Sequence, residues 1–372
     1  MTEFKEYTLG SLCSRLSSGK GIAASNVFGC GDFPVYGGNG VRGYTDHSNF
    51  KGECAIIGRQ GAFCGNVRYF SGEAYMTEHA VVACANEQHN TRYLAYLLST
   101  MNLGRLSGQS AQPGLSVKVL SKQIIRLPSK EKQDGIAAIL STIDDKIEVN
   151  KEINDNLQQQ ARALFQHWVS DTPSILYKLS EVADINPETY SPKESWSFVN
   201  YLDTSSITSG RITDIQYIIP SGEKLPSRAR RIIRENDVVF STVRPNQLHY
   251  GIIPLPKPNM LGSTGFVVIR SKKDSIPNEI IYLAITEPTF VEQMQQLAEQ
   301  SVSTFPSIRP NDLDACIIPE PREEDADFVS LVKSIFKTVA ENNEENERLS
   351  ALRDVLLPRL MSGEIDVSSV TV

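Results

Sequence analysis

Residues 136–168 read IAAILSTIDDKIEVNKEINDNLQQQARALFQHW, and residues 328–360, 192 positions later, read FVSLVKSIFKTVAENNEENERLSALRDVLLPRL. Apolar residues recur in both at alternating spacings of four and three, which is typical of a helix packed along another helix. The first seam contains Ile136, Leu140, Ile143, Ile147, Leu157, Ala161, Leu164 and Trp168. The second contains Phe328, Val332, Ile335, Val339, Leu349, Leu356 and Leu360, with Arg353 at one step. The pattern predicts two long, related helices.

Asparagine interrupts both seams at the same two steps, namely Asn150, Asn154, Asn342 and Asn346. A buried Asn in such a seam lowers stability and commonly fixes the register of the pair. If the helices run antiparallel, position 136 faces position 360 and the Asn pairs meet at one level. We therefore expect an antiparallel coiled coil whose register depends on these four residues.

Lobes of similar plan precede each helix. Tyr7-Thr8-Leu9 returns as Tyr177-Lys178-Leu179, and 124–128 corresponds to 317–321. The predicted fold is α+β, with two mixed α/β domains, two long helices and a pseudo-twofold internal repeat. The expected domains are 1–133, 134–171, 172–321 and 322–364, followed by a tail at 365–372. Within them we expect helices at Leu9–Leu16, Thr91–Met101 and Glu279–Ile285, and strands at Glu53–Ile57, Glu78–Ala83 and Asp237–Phe240.

Charge is distributed unevenly along the chain. The formal net charge is −7, yet residues 1–133 hold 14 Lys and Arg against 9 Asp and Glu. Residues 134–171 and 321–372 are both acidic. Acidic helices beside basic or near-neutral lobes are compatible with lobes that touch phosphate. The six cysteines form no C-x-x-C pair, and no signal peptide or apolar span is evident, so we expect reduced thiols in a soluble cytoplasmic protein.

Enzyme motifs are missing from the sequence. It contains no P-loop, no H-E-x-x-H and no G-x-S-x-G, and Gly37-Gly38-Asn39-Gly40 lacks the strand-to-helix frame of a dinucleotide fingerprint. Glu78-His79 could indicate acid–base or metal chemistry, but one His in a strand is more often structural. The sequence therefore favours binding over catalysis and predicts no catalytic residue and no metal site.

Candidate DNA-binding residues in the first lobe lie in Gly-rich and amide-rich segments. Glycine lets a backbone approach a ligand closely, while Asn, Gln and Arg can reach base edges or phosphates. The candidates are Tyr36, Gly38, Asn39, Arg42, Arg59, Gln60, Gln109, Ser110 and Gln112. Arg59 and Gln60 are expected to be exposed. Ordinary polar surface turns are the alternative interpretation of these segments.

In the second lobe, arginines dominate the candidate set. Arg228, Arg230, Arg231 and Arg234 form a cluster that appears dense and unbalanced, and a second group follows after a strand. The candidates are Arg228, Arg230, Arg231, Arg244, Asn246, Gln247 and, in a polar loop, Ser303. A solvated surface without a ligand is the alternative for such clusters.

Several stretches resemble the specificity subunit of type I restriction–modification systems. The segment LSALRDVLLPRLMSGE at 349–364 is similar to that family's C-terminal helical signature, and 136–169 is similar to its central helical region. The resemblance extends over the whole chain, including Tyr-Gly-Gly-Asn-Gly at 36–40, Gly-Arg-Gln-Gly-Ala at 58–62 and Phe-Ser-Thr-Val-Arg-Pro at 240–245.

The resemblance implies a DNA-binding subunit without catalytic residues. Each recognition domain would read one half of a bipartite double-stranded target, and the helices would set the spacer and dock two methyltransferase subunits. S-adenosylmethionine, ATP and Mg would belong to partner subunits, among them a translocase and endonuclease, and no membrane would be involved. Two alternatives stay open: a specificity subunit for a fused restriction–methylation enzyme, and a duplicated protein-binding scaffold without DNA recognition. A metal-dependent enzyme is the weakest alternative.

Overall fold

The chain divides into two compact units. A computed structural model describes residues 4–107, 114–171, 175–191, 193–194, 196–301 and 305–367. Unit 1 comprises Met1–Glu148 and Asn346–Val372, and unit 2 comprises Val149–Glu345. Each unit therefore combines one lobe with parts of both long helices.

The lobe of unit 1 consists of strands and short helices, followed by a long helix. Its strands are β1 Lys5–Thr8, β2 Cys13–Ser18, β3 Phe33–Gly37, β4 Gly40–Thr45, β5 Phe50–Gly58, β6 Val67–Met76, β7 Ala80–Ala85 and β8 Ile124–Leu127. Its helices are α1 Leu9–Leu12, α2 Thr91–Thr100, α3 Val117–Ser121 and α4 Lys130–Asp171, of which α4 continues into unit 2.

A six-stranded sheet of order β2-β7-β5-β6-β3-β4 forms the body of unit 1. Side chains alternate across β5, because successive residues of a strand point to opposite faces. Ala55 and Ile57 join the core that contains α2, whereas Cys54 and Ile56 join a smaller core on the opposite face. The sheet is therefore covered on both faces, which leaves its edges and the ends of its strands as the places where a ligand could reach it.

Unit 2 contains the second lobe and the start of the second long helix. Its strands are β9 Ile175–Lys178, β10 Ala183–Ile185, β11 Val199–Leu202, β12 Ile207–Thr208, β13 Arg211–Ile212, β14 Gln216–Ile218, β15 Ala229–Ile232, β16 Asp237–Ser241, β17 Tyr250–Ile253, β18 Met260–Ser263, β19 Phe266–Ser271 and β20 Ile317–Glu320. Its helices are α5 Leu179–Val182, α6 Asn278–Ile285, α7 Pro288–Glu299 and α8 Ala326–Met361, of which α8 continues into unit 1.

Two four-stranded sheets organise unit 2, with orders β10-β19-β16-β17 and β14-β11-β18-β15. The main core packs α6 and α7 against the first sheet, with Phe240, Val267 and Tyr282 almost completely buried. A second core, which includes Val239 and Phe266, lies on the other face of β16. Both units thus carry a central strand buried on both faces, which confirms the predicted α+β class.

The repeated anchors form the same local structure in each unit. Antiparallel β1 and β8 pair Tyr7 with Ile125, and antiparallel β9 and β20 pair Tyr177 with Ile318. A one-turn helix follows the first strand of each pair. The similarity between Tyr7-Thr8-Leu9 and Tyr177-Lys178-Leu179 therefore reflects the same connection from strand to helix, which is present once in each unit.

In unit 2, α4 and α8 pair antiparallel. Trp168 stacks on Phe328 with ring centroids 4.7 Å apart, and both belong to or border the main core. Asn342 donates a hydrogen bond from Nδ2 to Asn154 Oδ1 at 2.8 Å, and Asn154 is 4% exposed. These contacts lie on the register that places position 136 opposite position 360.

In unit 1, the same two helices pair in the same sense. Ile136 and Leu140 from α4 share a core with Leu360 from α8. Arg353, which stands at a seam position, donates to Asp144 Oδ1 at 3.0 Å. An ion pair thus replaces an apolar contact at that step, and the predicted antiparallel pairing is confirmed in each unit.

Two element predictions were wrong in their bounds. The helix expected at Leu9–Leu16 ends at Leu12, because Cys13–Ser18 pairs with β7 as a strand. The strand expected at Glu78–Ala83 begins at Ala80, and Glu78 and His79 form the turn between β6 and β7. In both cases strand pairing with distant residues overrides the local pattern.

Replacing Asn154 should destabilise unit 2. Asn154→Leu leaves the Nδ2 group of Asn342 without its acceptor, which we expect to lower the free energy of unfolding by about 1–3 kcal/mol. Chemical denaturation measures the change. Asn156→Leu, an exposed Asn on the same helix, is the matched control and should change stability by less than about 0.5 kcal/mol. The double variant Asn154→Leu/Asn342→Leu should regain the loss, and equal effects of Asn154→Leu and Asn156→Leu would contradict the argument.

Candidate nucleic-acid interface

The Gly-rich segment of unit 1 is a tight hairpin between β3 and β4. Gly37 pairs with Gly40, which leaves Gly38 and Asn39 as the two turn residues. Gly40 has φ +108°, a conformation that favours glycine. Asn39 and Arg42 are exposed, whereas Tyr36 is partly buried and meets Phe70 edge to face at 5.0 Å. The predicted residues Tyr36, Gly38, Asn39 and Arg42 therefore lie together on one hairpin.

The hairpin packs against the loop that leaves β5. A Cβ on Gly38 would lie 3.5 Å from the Cα of Gly58 and 3.1 Å from the carbonyl oxygen of His79. A Cβ on Gly58 would lie 2.6 Å from the carbonyl oxygen of Gly38, so this approach requires glycine at position 58. The segments that contain Asn39 and Arg59, about 20 residues apart in the chain, thus meet at one end of the sheet.

Arg59 is less exposed than expected. Its side chain is partly buried, and its Nη1 lies 3.4 Å from Ser18 Oγ and from the carbonyl oxygen of Glu78. Its backbone N–H donates to His79 O at 2.9 Å. The guanidinium of Arg59 therefore joins three strand ends, and only Gln60 next to it is exposed as predicted.

Arg68, near the start of β6, lies at the same hairpin. Its guanidinium carbon lies 3.5 Å from the position that a Cβ on Gly40 would occupy. Arg68 is exposed. Sequence reasoning missed it because a single arginine in a strand carries no local signal. The pairing of β5 with β6 sets Arg68 opposite Ile56, close to Gly58, against which the hairpin packs.

The arginines of β15 in unit 2 differ in their surroundings. Arg228 is exposed, and Arg230 donates from Nε to Ser227 O at 3.2 Å. Arg231 is partly buried, its Nε has no hydrogen-bond partner among the described residues, and burial lowers the pKa of its guanidinium. These three residues form no ion pair in the part of the chain that the structure describes.

Arg234 does not belong to an unbalanced cluster. It pairs with Glu188 at 2.7 Å, and Arg270 pairs with the same carboxylate and with the fully buried Asp237, also at 2.7 Å. The hydrogen bonds from Arg234 and Arg270 lower the pKa of Glu188 to about 2. The predicted charge imbalance was therefore wrong at Arg234, which belongs to a structural ion network.

The second arginine segment of unit 2 forms the loop between β16 and β17. Arg244 has φ +48°, and its backbone N–H donates to Pro306 O at 2.9 Å. Its guanidinium lies over the ring of Phe305, 5.2 Å from the centroid. Asn246 donates from its backbone N–H to Gln295 Oε1 at 3.2 Å. The side chains of Arg244, Asn246 and Gln247 are exposed on this anchored loop.

A turn between β18 and β19 links the two arginine segments. The N–H of Thr264 donates to Arg228 O at 2.8 Å. The N–H of Thr242 donates to Gly265 O at 2.9 Å. Thr264 and Gly265 are consecutive residues, and one is hydrogen-bonded to Arg228 while the other is hydrogen-bonded to the start of the Arg244 loop. The two arginine segments therefore lie side by side.

Both units tie the loop after the central strand in the same way. The N–H of Leu115 donates to Arg59 O at 2.8 Å, and the N–H of Ile308 donates to Thr242 O at 2.9 Å. Bridges join Gln60 to Gly114 and Val243 to Ser307. The remaining predicted residues lie outside the described ones; they are Gln109, Ser110, Gln112 and Ser303.

Metal ligands and reactive thiols are the remaining chemistry of the described ranges. These ranges hold no group of three His, Cys, Asp or Glu side chains suited to a metal ion. All six cysteines are free, and burial raises the pKa of Cys54 to about 12. Among the described helices, none combines the length and apolarity that a membrane crossing requires.

Comparison with known proteins relates the first part of the chain to one family. Residues 1–159 match the model of the type I restriction modification DNA specificity domain. This part of the chain is therefore similar to type I specificity domains. It is 41% identical to the EcoprrI type I specificity subunit of Escherichia coli over 146 residues, which are 38% of this chain and 36% of that protein. The aligned part thus spans about a third of that relative.

Other type I specificity subunits match over more of the chain. The HindI specificity subunit of Haemophilus influenzae is 25% identical over 334 residues, covering 68% of this chain and 71% of that protein. The crystal structure of a type I restriction-modification S subunit from M. genitalium has a TM-score of 0.59 with 16% identity, covering 96% of both chains. That likeness concerns the fold.

Removing the Glu188 carboxylate should change the pH dependence of stability. Because the pKa of Glu188 is lowered from 4.5 to about 2 in the folded state, its stabilising effect is present above pH 4.5 and is lost as the pH falls towards 2. The free energy of unfolding should therefore be lower in Glu188→Gln than in the wild type above pH 4.5, and the two values should converge in acid. Chemical denaturation at pH 3 to 7 measures this. The exposed Glu223→Gln is the control, and a constant difference for Glu188→Gln would refute the assignment.

Proposed function

We propose that this chain is the DNA-recognition subunit of a type I restriction–modification complex and has no catalytic residue of its own. Each unit would read one half of a bipartite double-stranded target. In this proposal residues 1–133 and 172–321 are the recognition domains, and 134–171 and 322–364 are the helical regions. The match of residues 1–159 to the type I specificity domain supports the proposal, and the paired loops are its main structural basis.

The paired loops are the main structural support. In each unit a loop leaves the central buried strand, carries amide or guanidinium side chains, and is tied by its backbone to a later segment of the same unit. These later segments, at Leu115 in unit 1 and Ile308 in unit 2, occupy corresponding places in the repeat. Backbone hydrogen bonds fix such a loop whatever its side chains are, so the side chains are free to contact DNA. Asn39 and Gln60 in unit 1, and Asn246 and Gln247 in unit 2, have the chemistry to contact adenine edges.

Unpaired positive charge supports a phosphate-bearing ligand. Arg42 and Arg68 in unit 1, and Arg228 and Arg244 in unit 2, are exposed and form no ion pair among the described residues. Phosphate contacts supply much of the affinity of DNA-binding proteins. The chain has a net charge of −7, so we expect a partner to contribute further cationic surface.

We also propose two methyltransferase subunits as the partners that dock on the helices. Exposed apolar side chains on α4 and α8 support this, because adjacent exposed apolar residues mark interaction surfaces. In unit 2 they include Val149 and Ile153, and in unit 1 they include Leu352 and Val355. S-adenosylmethionine would then belong to those partners, and ATP and Mg to translocase and endonuclease subunits.

Methylation mapping tests the recognition function. The chain is co-expressed with the methyltransferase encoded beside it, and methylated adenines are mapped by long-read sequencing. We expect a split motif of two short defined blocks around a fixed gap. Arg244→Glu should reduce methylation at that motif by about five- to 150-fold, since one contact of this kind is worth about 1–3 kcal/mol. Lys272→Glu, at the opposite end of β19 from the Arg244 loop, should not.

No methylation from a stable complex would instead favour a protein-binding scaffold. Dependence on a single chain with nuclease and methyltransferase motifs would favour the fused enzyme. Equal effects of Arg244→Glu and Lys272→Glu would remove the Arg244 loop from the proposed interface.

Helix length should set the spacer of the target. Removing one facing heptad from both α4 and α8 shortens each helix by about 10 Å, or about three base pairs of DNA. We expect the mapped motif to keep both half-sites and to lose about three positions from the gap. Removing the heptad from α4 alone mismatches the pair and should prevent a stable complex. An unchanged gap in the double deletion would exclude the helices as the ruler.

A further inference from the structure

We propose that a polar cleft beside Arg68 in unit 1 binds one phosphodiester group of the DNA backbone. This inference rests on the proposed DNA-binding function and adds a ligand site to it. The cleft has a volume of about 540 Å³ and lies between the loop after β5 and the segment after α2. Its polar side chains are Asn66, Arg68, Ser99 and Asn102.

Close contact between two backbones builds the floor of this cleft. Gly65 has φ +87°, and a Cβ there would lie 2.1 Å from the backbone nitrogen of Gly104. A Cβ on Gly104 would lie 2.8 Å from Cys64 O. Only glycine permits both approaches. The walls are therefore held in place by the fold itself, without a ligand.

The charge of the cleft suits a small anion. Arg68 is its only charged lining residue within the described part of the chain, and no carboxylate lines it. The guanidinium of Arg68 lies against Gly40, with its carbon and Nη1 each 3.5 Å from the position of a Cβ there. Guanidinium and amide donors around one site match the acceptor oxygens of a phosphate group.

The position of the cleft favours a phosphate of the DNA backbone over a free anion. The backbone N–H of Gly65 donates to Gly58 O, and the N–H of Gly58 donates to Asn66 O, both at 2.8 Å. One wall of the cleft is therefore the same loop that contains Arg59 and Gln60. Arg68 also lies against the hairpin that carries Asn39. A DNA strand that contacts Asn39 and Gln60 therefore passes the cleft, which is open rather than closed around a single ion.

Salt dependence of DNA binding tests the site. Affinity of the complex with its methyltransferase is measured for target and non-target DNA at several salt concentrations. Arg68→Gln should reduce the slope of log K against log salt by about 0.9, the value for one phosphate contact, and should weaken both DNAs alike. Arg68→Lys should keep the slope, because it keeps the charge. Arg126→Gln, which removes an arginine from the separate β1–β8 sheet, should also keep it.

A methylphosphonate scan of the target locates the contact. One neutral linkage should weaken the wild type about as much as Arg68→Gln does, and should have no further effect on Arg68→Gln. An unchanged slope in Arg68→Gln, in a wild type that binds its target specifically, overturns the cleft site alone. Binding of inorganic phosphate that depends on Arg68, without any change in the DNA slope, also overturns it. A wild-type complex that does not bind DNA overturns the proposed function instead.

Discussion

The antiparallel contact between α4 and α8 is the constraint on which both units depend. Asn154 and Asn342 meet in unit 2 although 188 residues separate them, and Asp144 meets Arg353 across 209 residues in unit 1. Both helices also place buried side chains in the cores of the units. Each lobe therefore completes its core only when both helices are present, and one register governs the two contacts.

The same constraint leaves the recognition loops free to differ. In both units the loop after the central strand is held through backbone groups, at Arg59 in one and Thr242 in the other. The side chains then diverge: Arg59 joins strand ends, whereas Arg244 lies exposed over Phe305. A scaffold that relies on backbone hydrogen bonds can present different side-chain chemistry in its two copies without loss of the fold.

The helix pair could be predicted from the sequence because its signal is periodic and repeated at a fixed offset. The environment of single arginines could not. Arg234 is neutralised by Glu188, 46 residues away, and Arg68 reaches the Gly40 turn only through strand pairing. The heptad pattern occurs in both helices, so the sequence itself identifies the partner of each helix. The environment of a surface arginine depends on distant residues that the local sequence does not identify. Candidate loops could thus be named, but their buried and exposed members could not be separated.

The division of the chain has a consequence for the order in which it matures on the ribosome. Unit 2 is contiguous, from Val149 to Glu345, whereas unit 1 needs Asn346–Val372 as well as the N-terminal residues. The first lobe is made first, yet Ile136 and Leu140 lack Leu360 until that much later residue has been synthesised. The lobe synthesised first is therefore the last to be completed, and during that interval the nascent chain carries an apolar helix surface that needs protection from aggregation.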